Sequence, residues 1–231
     1  MIWRHIMGLF DLFSSDMDRD IRRMEEGLRR IQEKKERERN SPPRRTYSIS
    51  YGSFVDDRDG TRYKTVRIGN QIWLAENLKY KCSDSYSYKD NKSNDENYGR
   101  LYTYYALTKA CPKGWHVPSD AEWEELAYYA KEHKDSNGTG TSLKANHSCW
   151  ECENNTPLGT NQFGFSAWAA GYKDSLTFYF DQGYGAYFWS TTEDSDDSDR
   201  ASVWSLKYDK EALFSNFESK FWATSVRCIK D

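Results

Sequence analysis

The stretch at residues 98–126, YGRLYTYYALTKACPKGWHVPSDAEWEEL, constrains the fold more than any other part of the chain. It reads as helix, cysteine, short strand, helix. Residues 98–110 contain few breakers and stop at Cys111-Pro112, where proline withholds the backbone donor that another helical turn needs. Lys113-Gly114 turns the chain, and Pro118 pushes Val117 out of the α region, so Trp115-His116-Val117 is expected to be extended. Ser119, with Glu122 three residues on, forms the signature of a capping box. Behind it Trp123, Leu126, Ala127 and Ala130 recur at helical spacing and predict a buried stripe.

Around this unit the pattern is mostly β. The folded domain is expected to span residues 54–231. Gly69-Asn70 lies between two apolar runs, so residues 62–68 and 71–75 read as a hairpin. Residues 81–97 and 133–160 are rich in Ser, Asn, Asp, Gly and Lys and read as exposed loops. Short β-type runs follow at 163–172, 176–180 and 186–192. Residues 200–208 alternate, with Trp204, Leu206 and Tyr208 on the expected core face, and a last strand is expected over 223–229. Helices early and antiparallel strands late predict an α+β fold.

Residues 1–39 differ in composition from the rest. Met17, Ile21, Met24, Leu28 and Ile31 step by fours and threes, as in a short coiled-coil seam, and three Glu–Arg pairs at i,i+4 decorate it. Three readings stay open for this amphipathic helix: homo-oligomerisation through the seam, a solvated tether, or rest on a membrane surface through Trp3, Ile6, Met7, Phe10 and Phe13. Residues 40–53, with Pro42-Pro43, read as a linker. A net charge of −3 gives no basic footprint for nucleic acid, and no run reaches the roughly 18 apolar residues of a transmembrane span. Aromatics make up 16% of the chain, including nine Trp, against a mean hydropathy of −0.96, which predicts a core of large rings under polar loops. The first residues carry no recognisable secretory signal, since His5 and Asp11 interrupt a short apolar run.

Several ordered segments carry a resemblance. DDRDGTRYKTVRIGNQIWLAENLKY at 56–80, the central stretch, NQFGFSAWAAGYKD at 161–174, YFWSTTED at 187–194 and SVRCIKD at 225–231 resemble the Fibrobacter succinogenes major paralogous domain. More distantly, GWHVPSDAEWEEL and SVRCIKD are similar to formylglycine-generating-enzyme-type domains. The resemblance implies a C-type-lectin-like fold, with two helices, a twisted antiparallel sheet, and N- and C-terminal strands side by side. It also implies a Cys111–Cys228 disulfide; the alternative is two buried thiols. Closing so long a loop is worth on the order of 4–5 kcal/mol in the chain-entropy model. The family is usually found on exported or surface-anchored bacterial proteins, whereas this N-terminus lacks an export signal, so the compartment stays undecided.

The remaining cysteines, Cys82, Cys149 and Cys152, sit in loops. His147-x-Cys149-x-x-Cys152 has the residue types of half a zinc site, which Cys82 would complete; a Cys149–Cys152 disulfide or free thiols is the alternative, and no metal or cofactor is expected. His116 reads as a hydrogen-bonded structural histidine. Residues 193–199 hold five carboxylates, a solvated loop by default and a calcium site in the sharper reading. Formylglycine-generating relatives use two cysteines five residues apart; here the first position falls on Ala223 and only Cys228 remains, which argues against that chemistry. The expectation is therefore a non-enzymatic binding module for a carbohydrate or a protein ligand. Tyr184, Tyr187, Asp194, Asp196, Asp197, Phe214 and Phe217 are its candidate contacts, with the acidic loop and residues 208–221 expected as neighbours at one end of the sheet. An intracellular scaffold acting through the N-terminal helix is the alternative.

Overall fold

The computed structural model describes residues 25–27, 29–30, 32–33, 48–134, 138–151 and 159–231. The chain divides into two units, Met1–Thr46 and Tyr47–Asp231. In the first unit the described residues between 25 and 33 are helical, and Arg29 meets Glu33 at 3.6 Å on an exposed surface. The seam residues Met17, Ile21, Met24, Leu28 and Ile31 lie outside the described residues, as does Cys152.

The second unit is α+β. In chain order its strands are β1 (Ser50–Val55), β2 (Arg62–Ile68), β3 (Gln71–Leu74), β4 (Ser85–Tyr86), β5 (Leu101–Thr103), β6 (Trp115–His116), β7 (Ala170–Lys173), β8 (Tyr179–Gln182), β9 (Gly185–Glu193), β10 (Arg200–Lys207), β11 (Leu213–Ser219), β12 (Ala223–Ser225) and β13 (Ile229–Lys230). Its helices are α1 (Ser93–Tyr98), α2 (Leu107–Ala110), α3 (Asp120–His133) and α4 (Thr139–Leu143). One sheet, in the order β1-β2-β3-β13-β6, is antiparallel throughout. The larger runs β11-β10-β9-β7-β12-β5-β4 with β8 beside β7, and is mixed: β9 pairs in parallel with both β7 and β12.

Local signals fold as their chemistry dictates. Gly69, at φ 59°, makes the β2–β3 turn, a conformation in which other residues strain. The carboxylate of Glu122 accepts both the backbone N–H (2.7 Å) and the hydroxyl (2.8 Å) of Ser119, closing the capping box of α3. Trp123, Leu126 and Ala130 are buried, with Ala127 at the edge of the stripe. Trp123 is the centre of the ring core: Trp73 lies 5.0 Å away, Phe188 5.5 Å and Trp204 6.0 Å, the last stacked.

Several expectations are corrected, among them the loop expected over 133–160, which contains α4, and the strands expected over 163–172 and 176–180, which begin only at Ala170 as β7 and at Tyr179 as β8. The helix expected over 98–110 forms only in its second half: after Gly99, at φ 71°, the chain enters β5, and a 3-10 turn over Tyr104–Ala106 then leads into α2 before Cys111. Leu-Tyr-Thr is a good strand sequence once β12 and β4 offer edges, and tertiary pairing overrides the absence of breakers. The loop expected over 81–97 contains β4 and α1, gathered by the guanidinium of Arg100, which donates to Ser85 O, Ser87 Oγ and Asp95 Oδ2. β1 begins at Ser50, inside the stretch expected as linker, because all six of its residues pair with β2. The strand expected over 223–229 breaks in two: β12 belongs to the large sheet and β13 to the small one. At the crossing Arg227 is fully buried. Its guanidinium donates to Leu74 O (3.2 Å), Asn77 Oδ1 (2.6 Å), Ser166 O (3.3 Å) and Phe165 O, while Nε has no partner among the described residues. One residue on, Cys228 is bonded to Cys111 at the end of α2, with Cα atoms 6.0 Å apart.

Candidate functional site

β10 separates two environments. Trp204 and Leu206 point into the core beneath α3, as the alternation predicted, but Tyr208, expected beside them, is exposed at the strand's end, and Ala201 and Val203 on the opposite face are buried too. That second face is covered at one end by β5 and Tyr104, whose ring meets Trp189 edge-on at 5.5 Å. Towards the start of β9 the cover ends, and a row of side chains crosses five strands. Register sets the row: Phe180 of β8 pairs with Tyr172 of β7, which lies beside Tyr187 of β9, and Tyr187 pairs with Ser205, itself opposite Phe214 of β11. Neighbouring residues in register project to the same side of a sheet.

Tyr172 is sandwiched in this row. Phe180 stacks on it at 5.4 Å with planes 26° apart, and Trp222 stacks at 4.6 Å and 15°. Tyr187 meets it edge-on at 4.9 Å. Beside the rings is a polar knot: the Tyr187 hydroxyl donates to Asp181 Oδ2 and accepts from Lys207 Nζ, and Lys207 lies 3.3 Å from the same carboxylate oxygen. In a regular strand Asp181 would face away from Phe180. Its φ of 59°, opposite Gly171 at φ 68°, breaks the alternation and brings its carboxylate to the ring face. Gly171 is required there, since a Cβ would come within 2.1 Å of Phe180 O. Burial, then the bond to Asp181, pushes the Tyr187 hydroxyl well above its ordinary pKa, so it stays protonated and donates. Glu218, on the same face as Phe214, has its pKa raised by burial and accepts from Asn216 Nδ2 at 2.9 Å.

The nominated residues separate into three groups. Phe214 stands exposed in the row; Tyr187 stands there too but is buried rather than exposed, and Tyr184 is at the same end of β9, exposed and edge-on to Tyr208 at 5.3 Å. Phe217 pairs with Ser202 and therefore sits on the other face. Asp194, Asp196 and Asp197 lie at the far end of the β9–β10 hairpin, beyond Glu193, whose partner Ala201 is four residues along β10 from Ser205, the partner of Tyr187, or roughly 13 Å at a strand rise of about 3.3 Å per residue. Their expected proximity to residues 208–221 holds only where Lys220 donates to Asp199 O and Ser198 O; Tyr208 and Phe214 are at the opposite end. The loop carboxylates are engaged locally: Asp194 Oδ1 accepts from the Asp196 N–H, Asp197 Oδ1 from that of Asp199, and Asp194 Oδ2 is 3.9 Å from Arg200. Tyr172, Asp181, Lys207 and Trp222 were not legible as site residues, because only strand register brings them together.

The zinc reading fares worse than the ring row. His147 stacks on Trp168 at 4.6 Å, Cys149 is buried with its thiol pushed up to about 11, and Cys82 packs into a different cluster from Cys149. Among the described residues no group of three or more His, Cys, Asp or Glu side chains is placed to hold a metal ion.

A second concavity lies by the disulfide. This cleft of ≈ 460 Å³ is bounded by α2, β6 and the first turn of α3. At its edge His116 Nδ1 is 2.6 Å from Asp231 Oδ1 and Nε2 is 2.7 Å from Glu122 Oε1, so His116 is a bridging, hydrogen-bonded histidine. Burial lowers its pKa, but the bonds to Asp231 and Glu122 outweigh that and raise it.

Compared with known families, residues 66–230 match the profile of the Fibrobacter succinogenes major domain. No curated protein and no solved structure matches the chain.

Proposed function

This chain belongs to the Fibrobacter succinogenes major domain family, and from that premise we propose that its second unit is a non-enzymatic recognition domain of C-type-lectin-like architecture that binds an uncharged polysaccharide. The architectural part is supported by the Cys111–Cys228 bond and by β13 lying between β3 and β6, which sets the end of the domain beside its first hairpin. The observation that carries the ligand is the sandwich of Phe180, Tyr172 and Trp222 next to the Tyr187–Asp181–Lys207 knot. A sugar ring presents an apolar C–H face and a rim of hydroxyls; it needs a flat aromatic surface and, at its edge, both donors and acceptors. The ring row supplies the surface, Lys207 the donor and Asp181 the acceptor, on strands of one sheet except Trp222, which reaches in from the β11–β12 turn. Asp181 and Lys207 neutralise each other, which favours an uncharged ligand over an ionic one.

The test is affinity electrophoresis of the full chain through gels containing neutral plant and bacterial polysaccharides. Retardation by at least one polymer is expected. Phe180→Ala, at an exposed position, should weaken it by roughly 2- to 13-fold, the worth of one aromatic contact of about 0.5–1.5 kcal/mol. No retardation by any polymer, or equal retardation of the variant, refutes the reading and turns attention to a protein partner. The alternative, an intracellular scaffold working through residues 1–39, predicts that deleting those residues abolishes all partner capture; the recognition reading predicts loss of self-association with ligand binding retained.

A further inference from the structure

The cleft beside the disulfide has chemistry that the ring row does not use. Its walls are apolar: the rings of Tyr104 and Trp115, with Leu107 and Val117. Each charge on its border is already paired. His116 is held between Glu122 and Asp231; the other Glu122 oxygen caps α3; and Glu193, which accepts from the Tyr104 hydroxyl at 3.3 Å, is held by Lys220 at 2.8 Å. An ionic ligand would have to break one of these pairs, so the cleft selects a neutral one. What remains open for hydrogen bonding is hydroxylic. The side chains of Thr108 and Thr191, both exposed, have no hydrogen-bond partner among the described residues. Rings, aliphatic walls and free hydroxyls around a volume at the lower end of the small-molecule range suit a single uncharged cyclic polyol.

Position links the cleft to the ring row. Thr191 of the cleft and Tyr187 of the row are on the same strand, β9, four residues apart, and the irregularity of β9 between Trp189 and Glu193 keeps the span below the roughly 13 Å of a regular strand. Tyr104 and Tyr187 also border the same hydrophobic cluster, through Trp189. We propose that the cleft is a second subsite for the polysaccharide, taking one sugar unit of a chain whose other units lie on the ring row. This rests on the carbohydrate reading above and adds to it a minimum ligand length. Two subsites on one rigid strand make the second contact intramolecular, so affinity rises steeply once an oligosaccharide reaches both and only slightly thereafter.

The experiment uses the full chain and neutral oligosaccharide ladders of one to six units (cello-, xylo-, manno- and malto-series), with Kd read by calorimetry at each length. On at least one ladder a fall in Kd of tenfold or more is expected between a short member and the first that bridges the two subsites. Thr108→Trp, which fills the cleft from an exposed helical position, should abolish that step while leaving the short-oligomer Kd unchanged; Thr191→Trp serves as the second cleft variant, with a thermal melt as the folding control. Phe180→Ala should instead weaken binding at every length. If both cleft variants keep the wild-type length step, or the wild type has no step while Phe180→Ala still weakens binding, the second subsite is refuted and the ring-row reading stands. If no ladder binds, both fall.

Discussion

A neutral imidazole has one N–H and one lone pair, yet both ring nitrogens of His116 face a carboxylate oxygen, at 2.6 and 2.7 Å. Only the imidazolium can donate to both. The folded protein therefore holds the proton more tightly than the unfolded chain: burial lowers the pKa, and the bonds to Asp231 and Glu122 raise it by more. For a group whose folded pKa lies above its unfolded value, the stabilisation is full below the ordinary 6.5 and is lost as pH rises through the folded pKa. Two charge-assisted bonds would be worth about 1.5–3 kcal/mol each if dry. The side chain of His116 is 42% exposed and that of Asp231 60%, so solvent screening cuts the pair to a total of about 1–2 kcal/mol. The measurement is urea unfolding of wild type and His116→Ala at pH 5.5, 7 and 9. Other groups titrate in this range, among them Lys144, whose amine burial draws down to about 8 and whose effect has the opposite sign. They act equally in both proteins, so the difference between the two is the quantity to follow. It should shrink by about 1–2 kcal/mol from the lowest to the highest pH. A difference that stays constant, or grows with pH, refutes the bridging imidazolium.

Two further substitutions probe the frame around the site. The Cys111–Cys228 bond closes a loop with a sequence separation of 117, worth about 5 kcal/mol in the chain-entropy model, so the double Cys→Ser variant should lose up to that much in urea unfolding, and reductant should lower the wild-type midpoint but not the variant's. An unchanged wild-type midpoint after verified reduction would contradict it. Arg227→Met leaves Leu74 O, Ser166 O, Phe165 O and Asn77 Oδ1 buried without their donor and should cost about 2–5 kcal/mol, a fall in Tm of roughly 5–15 °C; a fall under about 2 °C would mean that those acceptors find other partners.

What the sequence made legible was decided within a few residues. Ser119 and Glu122 form their capping box without help from elsewhere, Gly69 turns the first hairpin, and Trp123 has neighbours on its helix that fix which side is buried. Residues 101–103 were misread because their fate depends on residues 223–225, more than a hundred positions away, and nothing local distinguishes Leu-Tyr-Thr in a helix from the same residues in a strand. The site failed in the same way. Tyr187 and Phe214 were found as exposed-looking rings near a turn, but Tyr172 and Lys207 join them only through pairings along β7, β9 and β10. Asp181 was hidden more deeply, since strand alternation assigns it to the wrong face and only its left-handed backbone corrects that. The placement of the acidic loop, by contrast, was within reach: β9 and β10 are adjacent strands of a hairpin, so the loop that joins them must lie a full strand length from their other ends.

The large sheet is polarised. At the end of β9 and β10 near residues 193–200 the side chains are mostly charged, with Lys220 closing the turn onto Ser198 O and Glu193. At the other end Phe180 and Phe214 remain 41% and 43% exposed, though elsewhere on this face the same kind of residue is buried by β5 and Tyr104. Exposed rings in a contiguous patch are costly in water unless something covers them. Asp181, at the same place, holds a left-handed backbone that costs an ordinary residue roughly 1–2 kcal/mol. Folding alone favours neither feature: a residue with extended φ at position 181 would restore the strand, and polar side chains would suit the surface. Their coincidence beside the Tyr187–Lys207 contact is what a binding face requires, because the strain aims a carboxylate at the edge of a ring platform left open for a ligand.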